Sequence, residues 1–193
     1  ASGEVEMNRR VCRPEYQRGT TMIEALVTIV IMALGLLGLA GLQARLQVVE
    51  IESYQRAQAL LLLNDMSSRL STNRRNAASY VTGNTWGAGM TCPAATSGSA
   101  QHTKDLIEWC NALQGASETK GGGAVGAMVG GRGCVQDLGA GQYLVTIAWQ
   151  GLAPVSAPPV GVNCGNGLYD GGACTGDLCR RVVTTVVQIA PLI

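Results

Sequence analysis

The chain has 193 residues, with 14 Lys plus Arg against 13 Asp plus Glu, 47% hydrophobic and 14% charged residues, 26 Gly, seven Cys and no Phe. A net charge of +1 leaves no surplus of cations to neutralise a run of phosphates, which excludes a nucleic-acid partner. The high apolar fraction with near-zero net charge excludes a disordered chain, and the length allows one globular domain with a modest accessory element.

In chain order, residues 1–19 form a polar leader that carries Arg9, Arg10, Arg13 and Arg18 among Glu4, Glu6 and Glu15 and ends at Gly19. If initiation is at Met7, the leader is Met7 to Gly19 and the six residues before it are an upstream remnant. Between Glu24 and Arg45 lie twenty residues without a charge, Ala25 to Ala44. At about 1.5 Å per helical residue they span about 30 Å, one hydrocarbon core. The Lys/Arg bias before this segment favours a cytoplasmic amino terminus and an exported remainder. A cleaved secretory signal is the alternative, but the apolar stretch exceeds the usual length and runs straight into helix-favouring sequence.

From Leu46 the run becomes amphipathic, with Leu46, Val49, Tyr54, Ala57, Leu61, Met66 and Leu70 recurring at steps of three to five residues. No Pro occurs from Thr20 to Thr91. The pattern predicts one helix of about fifty residues, roughly 75 Å long, in which 20–45 is the transmembrane half and 46–75 the amphipathic half. Gly35, Gly38 and Gly41 recur every third residue within it. Each costs up to about 1 kcal/mol relative to Ala in a helix interior, so the stretch serves either close helix packing or flexibility. Glu24, at the edge of the apolar segment, is expensive unless a partner compensates it, which marks it as a functional candidate.

The residues Arg18-Gly19-Thr20-Thr21-Met22-Ile23-Glu24-Ala25-Leu26-Val27 resemble the processing signal of type IV pilins and type II secretion pseudopilins. Gly35 to Gln43, Arg69 to Arg74 and the later run Tyr143 to Gly151 look most like minor pilins of the PilV kind. The resemblance implies cleavage by prepilin peptidase between Gly19 and Thr20. It implies N-methylation of Thr20, where members usually carry Phe or Met, and pairing of Glu24 with the terminal amine of a neighbouring subunit. The fold it implies is an α+β pilin roll, a long helix packed on a small antiparallel sheet. The function it implies is that of a minor pilin, held first in the bacterial inner membrane with its domain in the periplasm and then built into the pilus fibre, where it primes assembly or sits at the tip. Its implied partners are other minor and major pilins, prepilin peptidase, the inner-membrane assembly platform and a tip adhesin. A minor pseudopilin of a type II secretion machine is the alternative within the family. An uncleaved single-pass periplasmic enzyme or binding protein is the alternative outside it.

Residues 76–193 then form the exported domain. Counted from Thr20, cations and anions are ten each, so this chain depends on packing and cross-links. Cys12 lies in the leader, which leaves Cys92, Cys110, Cys134, Cys164, Cys174 and Cys179, an even set in an oxidising compartment. They allow up to three disulfides in about 15 connectivities, which the spacing leaves open. Only Cys174 and Cys179 are close together and no His is near them, so no zinc site is expected. Thr103 to Leu113 reads as a short helix with Leu106, Trp109, Cys110 and Leu113 inward and Gly115 as its stop. Gln142 to Gln150 and Arg181 to Ala190 alternate as strands of one antiparallel sheet. Tyr143, Val145, Ile147 and Trp149 share one face of the first, and Val183, Thr185, Val187 and Ile189 one face of the second. Gly151 to Cys179 is a Pro-, Gly- and Cys-rich loop, too long to be ordered unless stapled.

No enzyme is expected. His102, Ser97, Ser99 and Asp105 fall in a Ser-rich loop with no nucleophile elbow. The Gly-rich stretch around Gly121 to Gly133 lacks the features of a phosphate loop. Asn163, Asn166, Asp170 and Asp177 carry hard oxygens, but their spacing fits no calcium loop and turn formation accounts for them. No cofactor and no metal are called.

Overall fold

The computed structural model describes residues 21–116, 119–120, 123–124 and 128–190. The leader with Cys12, and the expected cleavage pair Gly19 and Thr20, lie outside the described residues. Helix α1 spans Met22–Thr72, and it forms because nothing in this stretch breaks it: there is no Pro, and the three Gly are isolated among Leu, Ala and Ile. By its contacts the chain divides into two units, Ala1–Arg45 and Leu46–Ile193. In the first, α1 is apolar all round and its side chains are exposed. In the second, α1 is part of the folded domain, so the amphipathic half belongs to the same unit as the sheet.

That domain is α+β. After α1 come a 3-10 helix, Arg74–Tyr80, a two-residue strand β1, Trp86–Gly87, and helix α2, Gln101–Leu113. The small pair β2, Thr119–Lys120, and β3, Gly123–Ala124, precedes β4, Arg132–Gly139, β5, Gln142–Gln150, and β6, Arg180–Gln188. Four of these strands form an antiparallel sheet in the order β1-β4-β5-β6. β4 and β5 are joined by a tight turn in which Ala140 and Gly141 both have positive φ, the backbone twist that a two-residue hairpin requires.

On one face of the sheet, Tyr143, Val145, Ile147 and Trp149 of β5 pack with Ala59, Leu63, Met66 and Leu70 of α1 and Leu106, Trp109 and Leu113 of α2. On the other face, Cys134, Ala148 and Val182 pack beneath Cys164 and Tyr169 of the long loop, so that loop acts as the second cover. α1 runs antiparallel to β5. Val49 and Glu52 stand beside Trp149 and Arg181, while Arg74 and Arg75 stand beside Gly141 and Tyr143 at the far end.

Four expectations need correction. The buried stripe of α1 is Gln55, Ala59, Leu63, Met66 and Leu70, whereas Leu46, Val49, Tyr54, Ala57 and Leu61 are exposed. Residues 59–63 read Ala-Leu-Leu-Leu-Leu, so apolar spacing there fits several faces equally, and packing in the domain buries the one with Ala59 and Leu63. The helix stops at Thr72, three residues short of the expected end. α2 begins at Gln101 rather than Thr103, capped by Ala100 in an extended conformation. This places His102 and Asp105 on a helix, half-buried and buried, and not in an exposed loop. β4 was not expected at all, because Gly131 and Gly133 interrupt its pattern. Gly133 is there for Trp109: a Cβ would lie 2.3 Å from the indole. The indole in turn donates to the carbonyl of Leu62 at 3.0 Å and ties α2 to α1.

Candidate functional site

Thirteen large apolar side chains between Met22 and Leu42 are exposed on α1, and none of its most hydrophobic 18-residue window is buried. Burying a large aliphatic side chain is worth about 1.5–3 kcal/mol, so this surface represents on the order of 20 kcal/mol. That exceeds the roughly 5–15 kcal/mol by which a whole domain is stable. Only lipid or other apolar helices can meet such a demand, and α1 is long and apolar enough to cross a membrane.

Glu24 is the acid of the first turn of α1, where the helix begins with the amides of Glu24 and Ala25 donating to the Thr21 carbonyl. The carboxylate gains some tenths of a kcal/mol from the helix dipole there. Among the described residues no cation stands against it, and the residue that would supply the terminal amine, Thr20, lies outside them. Gly35, Gly38 and Gly41 have open space where each Cβ would be, so nothing within this subunit requires glycine at those positions.

The six cysteines from Cys92 onward form three disulfides, Cys92–Cys110, Cys134–Cys164 and Cys174–Cys179. The first fastens the segment before α2 to that helix. The second pins the long loop to β4, and the third closes the end of the loop just before β6.

Sequence reasoning missed the polar cluster that locks the end of α1 to α2. Arg69 donates to Asp65 one turn earlier at 2.9 Å, to Asp105 at 3.0 Å and to Glu108 at 2.6 Å. Asp105, buried, also accepts from Gln101 at 2.8 Å and from the Tyr80 hydroxyl, itself reached by the Asn73 amide. His102 packs edge-on against the Tyr80 ring. The only local signal was spacing, since Asp65 and Arg69, and Gln101 and Asp105, are each four apart on one helix face; their meeting is tertiary. Partial burial disfavours the charge on Arg69, but the hydrogen bonds it donates to Glu108, Asp65 and Asp105 outweigh it and hold its pKa above the ordinary value. Burial, together with the hydrogen bond to Asp105, pushes the Tyr80 phenol up to about 12.

The Tyr80 shift fixes an alkaline prediction. The folded state keeps a proton that an unfolded tyrosine releases near pH 10. The contribution is therefore complete below that pH and is lost as the pH rises through about 12. Urea midpoints measured across this window should fall for the natural chain and fall less for Tyr80→Phe. A residual slope is expected from Tyr169, which burial also raises. Identical slopes would show that Tyr80 is not held as described.

A second cluster organises the long loop. Buried Arg180 donates to the carbonyls of Val162 at 2.7 Å and Cys164 at 3.0 Å and pairs with Asp177 at 3.2 Å. Asp177 accepts from the Gly167 amide, and its own amide donates to Asp170. Of the residues considered for calcium, Asp170 and Asp177 thus serve turns and an internal ion pair, and among the described residues no group of His, Cys, Asp or Glu is arranged to hold a metal. Ser97 and Ser99 do not meet His102: Ser99 bonds Thr96. Compared with protein-family models, with curated proteins and with solved structures, the chain matches none of them.

Proposed function

We propose that the chain is a minor pilin, a structural subunit of a type IV pilus. It is processed after Gly19, methylated at Thr20, held in the inner membrane by residues 20–45 and then inserted by that helix among other pilins. The observation that carries the reading is the exposed, uniformly apolar stretch of α1 with one acid, Glu24, in its first turn, continuous with a domain that closes its own core. A surface so costly in water suits transfer from lipid to a bundle of similar helices. Neutralisation of Glu24 by a terminal ammonium would make that transfer directional and fix the axial register. The domain's two polar clusters tie its elements to one another, Arg69 and Asp105 joining α1 to α2 and Arg180 holding the long loop, which favours a structural role over catalysis.

Intact mass of the protein extracted from membranes and from sheared fibres tests the reading. Loss of everything before Thr20 with a gain of one methylene is expected, and a retained leader would overturn it in favour of an uncleaved anchor. Glu24→Ala should leave cleavage intact and abolish incorporation into fibres; unchanged incorporation would remove Glu24 from assembly. Recovery with secretion-machine components rather than fibres would identify a pseudopilin.

A further inference from the structure

Outside α1, the loop that follows β5 carries a cluster of exposed apolar side chains. From Gly151 to Tyr169 there are nineteen residues without one charged side chain. Leu152, Val155 and Val160 are exposed, Val155 at 68% and Val160 completely, with Pro154, Pro158 and Pro159 between them. Soluble domains tolerate single exposed apolar residues; an uncharged cluster of them on one loop marks a contact surface.

Its place in the domain says what that contact is. The root of the loop is bound to the part of α1 by which the chain enters this unit. The Leu152 amide donates to Glu52 at 3.1 Å, and Arg181, which pairs with Glu52 at 3.5 Å, donates to the Ala153 carbonyl at 2.7 Å. A bond from the Val155 amide to Leu178 holds the next turn, and the Arg181 guanidinium lies 2.7 Å from where a Cβ on Gly151 would be, so a side chain there would displace it. Glu52 follows the last residue of the uncharged segment, Ala44, by only eight positions, roughly 12 Å of helix. The root of the loop, Gly151 to Val155, is therefore held near the point where the chain enters the domain, while the β4–β5 turn with Leu138 is at the opposite end of β5.

We propose that the loop Gly151–Val160 rests in the headgroup region of the bilayer, with Leu152, Val155 and Val160 as its lipid contacts. This rests on the membrane anchorage argued above and extends it: the domain would sit down on the bilayer before assembly and not hang from a tether. Proline suits such a loop because it offers no amide proton to leave unpaired away from water.

The natural tryptophans Trp86, Trp109 and Trp149 are all buried, so an introduced one reports its own surroundings. The full chain with Val155→Trp, reconstituted in vesicles of phosphatidylethanolamine and phosphatidylglycerol, should show blue-shifted emission that is lost when the acyl chains are brominated near the headgroup. Leu138→Trp should show neither effect. Leu36→Trp, in the apolar segment, reports anchorage itself. Quenching of Leu36→Trp without quenching of Val155→Trp would overturn the loop contact and leave anchorage standing, whereas loss of both would remove the anchorage. Blue-shifted but unquenched emission that depends on protein density would assign the loop to a neighbouring protein and equally overturn the proposal.

Discussion

Asp105→Ala is expected to destabilise the domain by about 3 kcal/mol, the lower end of what removing one partner of a buried ion pair costs. The lower end applies because Arg69 keeps Asp65 and Glu108, which are more exposed than Asp105. Part of the loss comes from the Tyr80 hydroxyl, left buried without its acceptor, itself worth about 1–3 kcal/mol. Asp105→Asn keeps the shape and one of the two acceptor oxygens, which Tyr80 and Gln101 reach separately in the carboxylate, and should cost less than Asp105→Ala. Urea unfolding of the detergent-solubilised chain, followed by the fluorescence of its buried tryptophans, measures both. A loss for Asp105→Ala no larger than about 0.5 kcal/mol, the scale of an ordinary surface substitution, would show that the cluster does not hold α1 to α2.

The disulfides should rank by the chain each closes. Cys134–Cys164 spans 30 residues, Cys92–Cys110 spans 18 and Cys174–Cys179 spans five. Loop-closure entropy then gives about 3.6, 3.2 and 2 kcal/mol for the three in turn. Removing Cys134–Cys164 as a pair of Ala substitutions should also loosen the cover on the back of the sheet, since Cys134 and Cys164 are core residues there with Ala148 and Tyr169. Thermal melts of the three double variants check the order. If loss of the five-residue bridge costs as much as loss of the longest, restriction of the unfolded chain is not how these bonds stabilise the domain.

What could be read from residue order depended on how local its cause was. β5 alternates strictly, and both its limits and its inward face are as the pattern predicts, because strict alternation buries one face whatever the partner. β6 is one residue early at its start and two short at its end, a difference of fraying. β4 was invisible: its glycine is explained only by an indole from a helix twenty-four residues earlier, and no local rule places Trp109 over Gly133. The buried stripe of α1 was misread for a related reason, since four consecutive leucines satisfy several faces and only the sheet decides among them. The burial of Asp105 likewise could not be read locally, because it arises only when α2, α1 and the 3-10 helix are brought around it. The apolar segment and the acid at its edge, by contrast, were legible at once, because composition alone dictates that such a helix cannot remain in water.

All three bridges link cysteines that are consecutive in the chain from Cys92 onward. A polypeptide that emerges amino end first therefore presents each thiol next to its proper mate, and an oxidase that simply joins neighbours in order of appearance makes no wrong bond. Among roughly 15 ways to join six cysteines, this is the one that asks nothing of an isomerase. On the export that the proposed function requires, maturation of the domain should keep pace with its delivery across the membrane and tolerate the loss of disulfide-shuffling enzymes.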